Sequence, residues 1–292
     1  MRFTSIAAAA LACTSLAAAA PAFAQDGDQI VVTGAPSNPQ AVADFVGAIS
    51  SRTSDGHIAR WNSPLCPRVT GLRDELNGYI AQTVTAIAEA VGARTGSDGC
   101  DPNAIIVFMR EPAEFVETLR RQRPAHLSSL NIREREALAE SGAAARSWSV
   151  NEFRTRDGRI VRSQDGNNTD SDLVLGGSQG RASRISNELR ADFSTVYLLI
   201  DLDQLEGVTM QQLSAFVAVQ ALTAADVTAP IRPERTILNL FRDGVDAPAD
   251  LTDWDVAYLR ALYGTEGAAA AETQRGQISG QMRELLTASA SD

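Results

Sequence analysis

Cys66 and Cys100 are the only cysteines outside the extreme N-terminus, and a bond between them would constrain every element built between and around them. Whether that bond forms depends on the compartment, which the first residues address. Arg2 supplies a positive start, Ile6–Ala20 is an almost unbroken apolar run, and Ala22-Phe23-Ala24 precedes Gln25-Asp26. This is the pattern of a secretory signal peptide over residues 1–24, with the mature chain expected to start at Gln25. A membrane anchor would need about 20 apolar residues. A lipoprotein reading through Cys13 fails because Leu11 in Ala10-Leu11-Ala12 stands one place too close to it. In an oxidising compartment, periplasmic or secreted, Cys66 and Cys100 are expected to form one disulfide. Closing a loop of roughly 35 residues stabilises by about 3 kcal/mol. The plainer alternative is two buried free thiols.

Charge narrows the partners. The formal net charge is −10, and loss of Arg2 with the leader makes it −11. That argues against nucleic acid and against anionic lipid surfaces. No later stretch is apolar for long enough to span a bilayer, so no membrane insertion is expected after signal removal. The chain contains no lysine. Schiff-base chemistry, lysine-anchored pyridoxal phosphate and a Walker lysine are therefore excluded.

Hydrophobic spacing gives the order of elements. Residues 25–40 are polar with Gly and Pro and read as a flexible leader; within them Ile30–Gly34 (IVVTG) resembles the N-terminal segment of TonB-dependent receptors, although the remaining chain cannot make a barrel of that size. Val42, Phe45, Val46 and Ile49 have helical spacing. Residues 55–68, with the WNSPLCP segment, are loop-like. Residues 71–92 form a strongly amphipathic helix and 104–109 (AIIVFM) a buried strand. Pro112 opens a short helix to Arg121. A polar helix falls within 127–145, and 146–160 alternates around Asp157-Gly158 as a hairpin does. A loop rich in Gly, Asn, Asp and Ser follows, then a helix over 181–189. Thr195–Leu202 (TVYLLIDL) is the best strand, Thr209 caps a helix from Met210 to Ala225, and a helix spans Asp253–Tyr263. The fold class is α+β: a single domain over 41–264 with a mixed sheet and hairpin packed on long helices. Residues 265–292 read as an Ala-rich tail with a marginal helix around Ile278–Leu286.

Leu251–Gly264 reads LTDWDVAYLRALYG, an acidic cap and an aromatic helix stopped by glycine. With the helix–strand–hairpin–strand–helix order before it, this resembles the zincin-like fold of metzincin peptidases. It is closer still to uncharacterised secreted proteobacterial proteins grouped with that fold. The match is local, over roughly 195–264. The resemblance implies a metal-binding helix at SAFVAVQALTAAD, where two histidines one turn apart hold zinc and a glutamate acts as base. Here the histidine positions fall on Phe216 and Gln220, the glutamate on Val217, the glycine on Thr223 and the third ligand on Asp226. One ligand of the set survives, so the motif is degenerate. The chain has only His57 and His126 to offer, and both lie far from this helix in sequence.

Other constellations are weighed against plainer readings. Gly176–Gly180 (GGSQG) fits a nucleophile elbow around Ser178, but no histidine follows it, as that fold requires. Residues 165–172 (DGNNTDSD) look like a calcium loop, yet Leu173 stands where glycine should turn the chain and Gln179 where glutamate should close it. Asp201 and Asp203, with Glu206 nearby, would suit acid–base work or a cation; strand-end aspartates more often form turns. The arginines of Leu119–Pro124 fit an anion clasp or a solvated helix end. Trp254, Tyr258 and Leu262 follow one helical stripe, which indicates core packing.

No catalytic, cofactor-binding or metal-ligating residue is assigned, and no cofactor. The expected role is non-catalytic, binding or structural, toward a peptide or envelope component. The alternative is a hydrolase centred on Ser178 or Asp201, or a divergent metallopeptidase using Asp226.

Overall fold

The sheet is organised by one long antiparallel pair and one parallel trio. The computed structural model describes residues 38–50, 53, 56–155, 158–161, 189–226, 231–232 and 235–289. Five strands, β1 (Pro67–Thr70), β2 (Ala104–Met109), β3 (Ala145–Thr155), β4 (Ile160–Val161) and β5 (Leu189–Asp201), lie in the order β1-β2-β5-β3-β4. β1, β2 and β5 run parallel, and β3 runs antiparallel to both β5 and β4. The described helices are α1 (Pro39–Ile49), α2 (Asp74–Ala90), α3 (Pro112–Gln122), α4 (Ile132–Glu140), α5 (Met210–Thr223), α6 (Asp253–Gly264) and α7 (Ala271–Ser289). The α+β class with a mixed sheet, a hairpin and long helices is as the sequence indicates. Residues 36–292 form one compact unit.

Local chemistry sets the helix starts. Asn38 accepts hydrogen bonds from Gln40 N and Ala41 N, with Pro39 opening α1. Reciprocal capping boxes start α4 (Asn131, Glu134), α5 (Thr209, Gln212) and α6 (Thr252, Asp255). Strand alternation then divides the sheet into two faces. Ala104, Ile106 and Phe108 of β2 and Val196, Leu198 and Ile200 of β5 join the main core with residues of α1, α2, α5, α6 and α7. On the opposite face Val116, Leu127, Trp148 and Leu199 make a smaller cluster beneath α3 and α4.

The segment between α1 and β1 is pinned despite having little regular structure. Gln274 of α7 clamps Ile58, accepting from its N–H at 2.9 Å and donating to its carbonyl at 3.1 Å. Trp61 Nε1 donates to Ala221 O at 2.7 Å, and Tyr263 Oη to Leu222 O at 2.8 Å, which satisfies two carbonyls in the last turn of α5. Cys66 is bonded to Cys100, with Cα atoms 6.1 Å apart, tying β1 to the segment after α2. Gly71 must be glycine: its φ is +101°, and a Cβ there would stand 1.8 Å from Phe108 O.

Several extents differ from the sequence reading. Pro67–Thr70 is a strand where a loop was expected, because Val69 packs into the core and the segment pairs with β2. β5 begins at Leu189, not Thr195, and is paired with β3 throughout. Residues 39–40 belong to α1 and not to a leader. The Ala-rich tail carries a 19-residue helix, α7, whose Ile278, Met282 and Leu286 are buried. Only these three apolar side chains and Gln274 are fully buried, with Leu285 packing beside them, which is why its stripe is faint in sequence. The signal peptide, the rest of the leader, Ser178, the loop at 165–172 and the expected helix over 181–189 lie outside the described residues, except for Leu189, which begins β5 instead. No described helix is long and apolar enough to cross a membrane.

Candidate functional site

The helix that the zincin resemblance makes chemical is the most enclosed of the described helices. Every residue of α5 from Leu213 to Thr223 is buried. Phe216 packs edge-to-face on Phe241, with ring centroids 4.9 Å apart. Val217 and Gln220 are fully buried, and among the described residues the Gln220 amide has no hydrogen-bond partner at either atom. Asp226, beyond the helix end, is exposed. Phe216, Gln220 and Asp226 therefore do not form a common polar surface. Among the described residues no three His, Cys, Asp or Glu side chains cluster closely enough to hold a metal ion.

The two histidines are held apart by the sheet. His57 is buried edge-on to Phe153 at 6.0 Å on the main-core side, and neither ring nitrogen has a described partner. His126 lies on the other side. Its Nδ1 is 2.6 Å from Tyr197 Oη, while its carbonyl accepts from Trp148 Nε1 at 2.8 Å. Trp148 in turn stacks on Tyr197, with centroids 4.8 Å apart, and burial raises the Tyr197 hydroxyl above the usual tyrosine range.

The strand-end carboxylates are spent on structure. Asp201 accepts from Asp203 N at 3.0 Å and starts a 3-10 turn. Asp203 pairs with Arg110, and Glu206 is exposed. In the Leu119–Pro124 stretch, Arg120 binds Glu117 on its own helix and Arg123 caps that helix. Trp254, Tyr258 and Leu262 are core residues, Phe45 lying edge-on to Trp254 at 5.2 Å. Asp255 is wholly buried, and burial raises its carboxyl above the usual range although Ile237 N and Thr252 donate to it.

The outer edge of β3 is taken up by another strand over only part of its length. Asp201 N donates to Ala144 O at 2.8 Å, which sets the parity of the antiparallel ladder. Arg146, Trp148 and Val150 thus turn their backbone groups to β5, while Ala145, Ser147 and Ser149 turn theirs outward. β4 takes up only Phe153 and Arg154. The Ser149 carbonyl receives the Ser129 hydroxyl. Among the described residues Ala145 and Ser147 have no strand partner on that side; Ala145 is buried, and Ser147 is half-buried with its hydroxyl enclosed. At the start of this edge is a cavity of about 130 Å³ lined by Ala143–Ala145, Phe216, Leu238, Phe241 and Arg242. Its floor is apolar and Arg242 is the one charged lining residue. Sequence reasoning identified the hairpin but not its partly unpaired edge. The available signal was the alternation of small Ala145, Ser147 and Ser149 with large Arg146, Trp148 and Val150.

Compared with known proteins, the chain matches no family model, no curated protein and no solved structure.

Proposed function

We propose that this is an exported, periplasmic or secreted, non-catalytic binding protein that takes an extended peptide as an added strand on the edge of β3 that β4 leaves unpaired. The unpaired outward backbone of Ala145 and Ser147, beside a pocket sized for one apolar side chain, carries the reading. Main-chain hydrogen bonds along such an edge supply affinity, and a flanking pocket supplies side-chain choice. The acidic net charge of −10 favours a cationic peptide and predicts binding weakened by salt. A zincin-like relationship fits the same proposal: α5 would be the former motif helix, with Phe216 and Gln220 enclosed where ligands would have stood.

The test is selection of peptides from a displayed library on the mature protein, followed by titration against wild type and Ser147→Pro. Proline at an outward edge position removes no native ladder bond, so the fold is retained while the docking N–H is lost. Binding should fall at least tenfold, and the peptide should be recovered uncut. Cleavage of the peptide would favour the hydrolase alternative. Undiminished binding by Ser147→Pro would rule out the edge.

A further inference from the structure

A second site stands apart from the β3 edge, around a buried guanidinium that no acid among the described residues meets at contact distance. Arg60 runs beside the start of β5, its carbonyl accepting from Phe193 N at 2.9 Å. The side chain is enclosed, the residue being 8 % exposed. Nη1 donates to Leu262 O and Thr265 O, both at 2.5 Å, at the end of α6. Among the described residues Nε and Nη2 have no hydrogen-bond partner, and no carboxylate reaches Arg60 as an ion pair. The neighbouring acids are committed elsewhere. Asp192 contacts Arg190 at 3.0 Å and Arg154 at 3.5 Å and accepts from Asn62 at 2.6 Å. Glu152 contacts Arg154 at 2.7 Å.

The free edge of the guanidinium fronts open space. A cavity of about 240 Å³ is lined by Arg60, Arg190, Glu266, Gly267 and Ala268. A Cβ at position 267 would stand 2.7 Å from Nη2 and 2.9 Å from Nε, so glycine keeps this edge uncovered. An enclosed cation without a contacting anion is costly, and burial lowers the Arg60 guanidinium below its ordinary value. The Nε–Nη2 edge is the planar fork that pairs with a carboxylate through two parallel hydrogen bonds. Glu266, exposed at the rim, adds one negative charge and so disfavours a dianion.

We infer that the cavity bounded by Arg60, Arg190 and Gly267 is a binding site for a carboxylate group, gripped side-on by Nε and Nη2 of Arg60. The test is thermal unfolding of the mature protein in sodium acetate, sodium phosphate or sodium chloride at equal ionic strength. Acetate raises Tm saturably in the millimolar range, and chloride does not. Gly267→Ala places a methyl group before the fork and weakens the acetate response at least tenfold. Glu266→Gln, a change at the exposed rim that leaves the core untouched, strengthens it severalfold. An equal rise in chloride, a stronger response to phosphate, or an unchanged acetate response in both variants would overturn the assignment.

Discussion

Replacing Gln220 by methionine should make the protein more stable. Gln220 lies in the middle of the enclosed stretch of α5 at 0 % exposure, and neither Oε1 nor Nε2 meets a described partner. Leaving a buried polar group unsatisfied costs about 1–3 kcal/mol. Methionine has similar length and volume, and such exchanges cost under about 1.5 kcal/mol in packing. With two unsatisfied amide atoms removed, the balance is a gain of about 1–3 kcal/mol. In a domain of this size each kcal/mol moves Tm by about 2–4 °C. Urea unfolding followed by tryptophan fluorescence, with calorimetry beside it, would measure the change at constant m-value. A loss of stability of 1 kcal/mol or more would refute the reasoning. The amide would then have a partner, and α5 could not be the sealed helix described above.

Three other outcomes follow from the packing and the charges. Cys66→Ser with Cys100→Ser should lower stability by about 3 kcal/mol, with reduction by dithiothreitol producing a comparable loss in wild type. Asp255 has its folded pKa raised by burial, so its contribution is fully present below the unfolded aspartate pKa and is lost as pH rises through the folded value. Stability should therefore carry a component that falls between acid and neutral pH, and Asp255→Asn should flatten it in urea melts at pH 4.5 and 7.5. Trp61→Phe removes a buried donor to Ala221 O and should cost about 1–3 kcal/mol, read in the same unfolding assay.

Legibility in the sequence followed the range of the forces involved. α2, β2, α5 and α6 were readable because period and capping residues act within one turn or one strand. The Thr209 cap and the Asp253 start are both where local chemistry puts them. β1 was hidden because Pro67–Thr70 is too short to display alternation and owes its pairing to β2. α7 was nearly hidden because few of its residues are fully buried, Gln274, Ile278, Met282 and Leu286. The cavity at Arg60 was not legible at all: Arg60, Asp192 and Gly267 meet only through the fold, and an arginine in a loop carries no periodic signal. The absence of histidines from Met210–Thr223 was legible in the sequence, whereas the enclosure of Phe216 and Gln220 required the packing of α5.

The most direct test of peptide docking on β3 is hydrogen exchange at neighbouring amides, read by NMR with and without a saturating selected peptide. The outward Ser147 amide should exchange far faster than the inward Trp148 amide in the free protein, and should become protected in the complex. Equal protection of Ser147 and Trp148 before peptide is added, or no change at Ser147 on saturation, would contradict the account.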